Sequence, residues 1–242
     1  MSETNINFYG SPLHRELLVQ YETSVFSHCD LSKPTGEKQL ENGCLLRYAA
    51  HSFHRLNARG YTEALAGTVY GLYREETLLY SWKETDGHRH DAHIIRHANG
   101  REYLLFHEDI FGYSVLELDT LRSLHYLPEE SYRFRDAHIP ADHYPAHADD
   151  QTETFIWLSP HYNPENNMLC VEGCFWGSPY TIILLDFSDP ISIFPACRWI
   201  DLSKRLPQYE YLDFKAWQGN TLICEDDETK QPIIFDTSKF PL

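Results

Sequence analysis

Two stretches of this chain are variants of one another, and a third is a fainter copy. REYLLFHEDIFGYSVLELD ends at Asp119, NMLCVEGCFWGSPYTIILLD ends at Asp186, and TLICEDDETKQPIIFD ends at Asp236. Each copy holds paired apolar strands that cannot bury both faces alone, so the copies must pack on one another. A period of about 40 to 65 residues then points to blades or stacked layers of β-structure. Aligning the copies on their terminal aspartates places GYSVLELD over PYTIILLD and, more loosely, over QPIIFD. Upstream, LFHED, LCVEG and LICED superpose, and each puts a glutamate in the same place: Glu108, Glu172 and Glu225. In the first 90 residues only the stretches around RYAA and LLYSWKE resemble the pattern, as degraded copies.

The apolar runs are short and rich in Tyr, Phe, Val, Ile and Leu, and proline and glycine fall between them, which is strand chemistry. Strands are expected near 16–22, 44–52, 67–73, 77–84, 92–97, 102–107, 113–118, 122–127, 153–158, 167–173, 180–185, 197–201, 210–217, 220–225 and 232–236, and little helix. Segments 27–42 and 129–151 break the rhythm and read as surface loops, the second long enough to serve as a lid or rim. The expectation is a single all-β domain over residues 1–242. About five blades would fit the length at ~45 residues each, with a large β-barrel or a two-sheet sandwich as the alternative architecture.

Composition narrows the partners. With 36 acidic against 20 basic residues the net charge is −16, which repels a nucleic-acid backbone and an anionic membrane surface alike. No apolar run reaches the ~18 residues of a membrane helix. The start MSETNINFYG has neither a basic head nor an apolar core, so a cytoplasmic location is expected. Protein partners and small neutral or cationic ligands remain compatible with this charge. The six cysteines are irregularly spaced and read as free thiols, and no motif calls for a cofactor.

The strand-hairpin-strand cadence, with FIWLSPHYNPENN, CVEGCFWGSPY and ILLDFSDP over 155–190, resembles an uncharacterised group of bacterial β-propeller-like (WD40-like) proteins. The resemblance covers about residues 90–240. It implies a fold and no activity, because that group brings no assigned catalytic or binding residues.

Three constellations could carry chemistry. If the copies are blades, Glu108, Glu172 and Glu225 sit at equivalent radii and would form a ring of carboxylates. Such a ring can attract cations, ligate a metal or supply a glycosidase's acid and base, or else each glutamate merely ties down its own blade. HRHDAHIIRH (88–97) and RDAH (135–138) share an Asp-Ala-His, matching Asp91 and His93 to Asp136 and His138 as a possible zinc set, without the compact spacing of a strong zinc signature. Tyr113, Trp176 and Tyr180 lie near turns and could form a platform for a sugar ring or a peptide side chain. No serine nucleophile is supported, since Pro179 removes the backbone N–H that would follow Ser178 in an oxyanion hole. The function expected is recognition or scaffolding, with a carbohydrate-active or metal-assisted hydrolase using carboxylates around a central pocket as the alternative.

Overall fold

The computed structural model describes residues 12–56, 60–85, 92–109, 112–125, 155–175, 179–191, 199–209 and 211–239. These residues are all-β apart from short helices, and they form four antiparallel sheets of three or four strands. By internal contacts the chain divides into two compact units, Met1–Ile94 with Leu104–Tyr132, and Ile95–Tyr103 with Arg133–Leu242.

The first sheet is a meander of β1 (Gly36–Gln39), β2 (Leu45–Leu56), β3 (Thr62–Arg74) and β4 (Thr77–Glu84). The second runs in the same order through β5 (Ala92–Arg96), β6 (Glu102–Asp109), β7 (Gly112–Glu117) and β8 (Ser123–His125). The third comprises β9 (Phe155–Asn163), β10 (Met168–Phe175), β11 (Tyr180–Asp186) and β12 (Trp199–Asp201). The fourth has three strands, β13 (Leu212–Gln218), β14 (Thr221–Asp226) and β15 (Pro232–Asp236). Each sheet thus comes from one contiguous segment with neighbouring strands consecutive in sequence, the order that short hairpin connections favour.

The turns share their chemistry as well. The turn between the first two strands is closed in the first sheet by Leu40 N–H to Cys44 O (2.8 Å) and Gly43 N–H to Leu40 O (3.0 Å). In the second sheet His97 N–H to Arg101 O and Gly100 N–H to His97 O, both 2.9 Å, repeat the set. Gly43 and Gly100 take φ of 82° and 84°, which only glycine adopts at no steric cost. Asn42 and Asn99 each accept from the N–H two residues on, as asparagine does in turns.

Two of the three terminal aspartates have a matching role. Asp186 and Asp236 accept from the N–H of Ser188 and Ser238, while the residue after each, Phe187 and Thr237, donates its N–H to Asn167 O and Asn220 O. Asp30 to Ser32 and Asp201 to Ser203 make the same two-residue turn, and the second caps the short helix α2 (Leu202–Arg205).

In the first unit Leu46, Tyr70, Leu72, Trp82, Leu104, Phe106 and Leu116 form the main core, with the Tyr70 and Trp82 rings stacked at 5.0 Å. A separate cluster joins Tyr21, Val25 and Phe26 to Leu65 and Val69 of β3. Its helix, α1 (Pro12–Ser24), occupies the segment where a strand was expected at 16–22. The run ELLVQY is too short to decide between periods of 2 and 3.6. Proline at the first helical position and an i, i+4 pair, Tyr21 and Val25, that buries on β3 favour the helix. The expected loop 27–42 likewise contains β1, a strand too short and polar to announce itself. The other expected strands overlap observed ones. The loop read over 129–151 lies outside the described residues.

In the second unit Cys170, Ile182, Leu184, Leu202, Leu212, Leu222, Cys224 and Phe235 make one core between the third and fourth sheets. That packing brings β13 against β10 and positions the site described next.

Candidate functional site

Glu172 lies near the middle of β10, the second strand of its sheet. Across the pair with β9 it faces Ser159, and His161 faces Cys170, so His161 and Glu172 are diagonal neighbours on one face. The register slips between Glu172 and Gly173, where Gly173 pairs Trp157 and Leu158 is left as the extra residue of a bulge. The strands can come this close only because residue 173 is glycine: a Cβ there would meet Ile156 O at 2.0 Å.

Phe214 lies on β13, the edge strand of its sheet, just before a register slip to Ala216; because Tyr211 O accepts from Asp227 N–H of the β14 side, strand alternation turns the Phe214 N–H away from β14. That N–H donates to Glu172 Oε1 at 2.7 Å, while Oε2 lies 2.8 Å from His161 Nε2. The imidazole lies flat on the Phe214 ring, 3.8 Å between centroids and 8° between planes. The Trp217 indole N–H donates to His161 O at 3.1 Å and fixes the strand that carries the histidine. Burial pushes the Glu172 carboxyl up, but the His161 and Phe214 hydrogen bonds and the charge of Lys215 outweigh it and hold the group below its ordinary value. Chemically this is an oriented imidazole with a carboxylate behind it, both partly open to solvent at 29% and 24% side-chain exposure.

Glu225 faces Asp213 directly across β13 and β14, a like-charge pair that would repel. Lys215 relieves it, with Nζ 3.1 Å from Glu225 and 3.8 Å from Asp213. The buried thiols of Cys170 and Cys224 contribute no nucleophile: burial raises both, Cys224 to about 12.

Glu108, on β6 in the first unit, has different company. It is buried, its carboxylate accepts from the Ser114 hydroxyl of β7, and its carbonyl accepts from Thr85 N–H at 3.1 Å. Around it runs a buried polar belt in which Tyr70 O–H donates to Glu84 at 2.6 Å and Tyr80 O–H donates to Ser123 at 3.0 Å. Burial raises the Tyr80 phenol to about 12, so it stays a donor. Tyr113 is fully buried, its ring 4.0 Å from that of His107 and 6.5 Å from that of His93.

The three recurrent glutamates therefore each lie on the second strand of a sheet, and each is engaged by its own neighbours. His93 is described, but its proposed co-ligands Asp91, Asp136 and His138 lie outside the described residues, as do Trp176, His88 and His90. Among the described residues no three His, Cys, Asp or Glu side chains are arranged to hold a metal ion. Tyr180 is 51% exposed. Sequence reasoning did not single out His161. The signal for it is the turn centre at 164–167: folding β9 and β10 about it brings His161 beside Cys170, two residues from Glu172.

No helix among the described residues is long and apolar enough to cross a membrane. No family model matches the chain, and no solved structure matches it. A segment of 38 residues is 45% identical to part of an uncharacterized protein of Acanthamoeba polyphaga mimivirus, covering 16% of this chain and 15% of that protein. The match is thus local, spanning about a seventh of the viral protein.

Proposed function

We propose that the chain is a propeller-like recognition module, its sheets acting as blades and its loops and edges presenting the binding surface. The observation that carries this reading is the internal engagement of all three recurrent carboxylates: Glu108 by Ser114, Glu172 by His161 and Phe214 N–H, Glu225 by Lys215. A glycosidase needs one carboxyl group held protonated and another free to attack or to activate water. Glu172 is instead biased toward the ionised form, and both its oxygens already accept hydrogen bonds. The blade reading is supported by the four consecutive meanders and by the shared turn bonds at Leu40–Cys44 and His97–Arg101. Repeated polar residues in such folds serve to tie each unit together.

A second reading, a hydrolase, is favoured by one feature, the oriented and partly open His161–Glu172 pair. The test is turnover of a panel of aryl glycosides and aryl esters by the wild type and by Glu172→Gln, with metal content of the purified protein measured alongside. No turnover by either protein and no stoichiometric metal is the result expected for a recognition module. Hydrolysis by the wild type that disappears in a folded Glu172→Gln overturns it.

A further inference from the structure

The β2–β3 hairpin outruns its sheet. β2 is 12 residues long, yet β1 pairs only with Leu45–Tyr48. Just past that pairing Tyr48 O accepts from Thr35 N–H (2.8 Å) and the Ala50 N–H donates to Thr35 Oγ1 (3.2 Å). These two bonds fix which backbone groups point away from β3. In an antiparallel strand outward and inward residues alternate, and the β2–β3 register has no bulge, so Ser52, His54 and Leu56 also aim N–H and C=O outward. Among the described residues β2 has no third strand neighbour, and Ala50, Ser52, Phe53, His54 and Leu56 are all exposed, Leu56 at 72%. The result is an open strand edge with apolar side chains beside it, the geometry that accepts an added strand.

The charge of this hairpin selects the occupant. Arg47 is already paired with Glu37 and Glu76, but in a chain of net charge −16 residues 51–62 hold two arginines, two histidines and no acidic residue. We infer that the outer edge of β2 beyond Ala50 is a docking site for an extended, acid-rich segment of a partner protein, which adds as a strand beside Ser52, His54 and Leu56. This rests on the recognition reading and gives it a surface and a partner chemistry. Main-chain hydrogen bonds supply the affinity, and the basic hairpin discriminates against basic strands.

The test uses the full chain and two labelled synthetic peptides, one alternating glutamate with valine and one alternating lysine with valine, read by fluorescence anisotropy. The expected result is saturable binding of the glutamate peptide that weakens with salt, and none of the lysine peptide. Ser52→Pro removes one outward N–H while leaving the β2–β3 ladder intact, as proline on an edge strand can, and should weaken binding at least tenfold. His54→Glu keeps every backbone donor and should weaken the glutamate peptide by its charge alone, which preserves the test should the proline variant fail to fold. Failure of the glutamate peptide to bind, or binding unchanged in folded variants, overturns the edge site. Self-association of the wild type in sedimentation equilibrium that Ser52→Pro abolishes also overturns it, in favour of a second copy as occupant. Either failure is separate from that of the recognition reading, which only turnover in the hydrolase panel removes.

Discussion

Glu108 and Glu172 align in the repeated sequence pattern and each lies on the second strand of its sheet, yet their surroundings make different groups of them. Glu108 is buried in the first unit, where a neutral hydroxyl from Ser114 meets it. Glu172 in the second unit stands partly in solvent, with an imidazole, a backbone N–H and the field of Lys215 around it, and is held in its charged form. The difference lies in the neighbouring strands. β9 sets His161 diagonal to the carboxylate, and the edge strand β13 aims the Phe214 N–H at it. Equivalent position in a repeated pattern therefore fixes where a side chain starts, and the neighbouring strands decide what it becomes.

The bulge at Gly173 is the sharpest way to break that contrast. Gly173→Ala would press a methyl group against Ile156 O and the Phe155 ring, and backbone cannot yield as a flexible side chain can. A loss of about 3 kcal/mol in urea unfolding is expected. An unchanged midpoint would mean that the close approach does not hold Glu172 in place.

Next in size is Glu108→Ala, which removes the acceptor of a buried hydroxyl and should cost about 2 kcal/mol. Glu108→Gln keeps an acceptor for Ser114 and should cost less. If the two variants lose the same stability, the negative charge rather than the hydrogen bond is what the first unit uses.

Glu172→Gln should cost about 1 kcal/mol at neutral pH, because a glutamine oxygen still accepts from Phe214 N–H. Its signature is in the pH dependence. The folded carboxyl lies below its ordinary value of 4.5, so its contribution is fully present above 4.5 and is lost as pH falls through the lower folded value. Melting temperatures from pH 6 down to pH 3 should show an acid limb in the wild type that is shallower in Glu172→Gln. Parallel curves for the two proteins would remove the charged role assigned to this residue.

How far the contrast could be read from sequence follows from its parts. The strands are legible because alternation and turn residues mark them, and the equivalence of Glu108, Glu172 and Glu225 is legible because their strands align. The bulges are not, since the extra residue, Leu158, continues the apolar run of Phe155, Ile156 and Trp157 and shows only when the register is counted. His161 lies on the turn side of that bulge, and it falls diagonal to Glu172 once the turn centre at 164–167 is fixed. The aspartates closing each copy were visible as a pattern. The role of Asp186 and Asp236 as acceptors for a serine two residues on, repeated at Asp30 and Asp201 but not at Asp119, which Leu121 follows, emerges from the bonds. α1 is not legible because a short apolar run carries no period of its own, and what decides it is the face that Tyr21 and Val25 bury on β3.

Glu225 supplies the smallest effect and the third term of the comparison. It lies on the second strand of its sheet like the other two, but its partner is a lysine that is itself 42% exposed and divided between two carboxylates. Glu225→Gln breaks one exposed ion pair, worth about 0.5 kcal/mol or less. It also relieves the direct opposition of Asp213 and Glu225 across the strands, which pulls the change toward zero. Stability should therefore stay within about 0.5 kcal/mol of wild type and respond little to salt. A loss as large as that of Glu108→Ala would mean that the position itself, and not its surroundings, sets the energetic role of the recurrent glutamate.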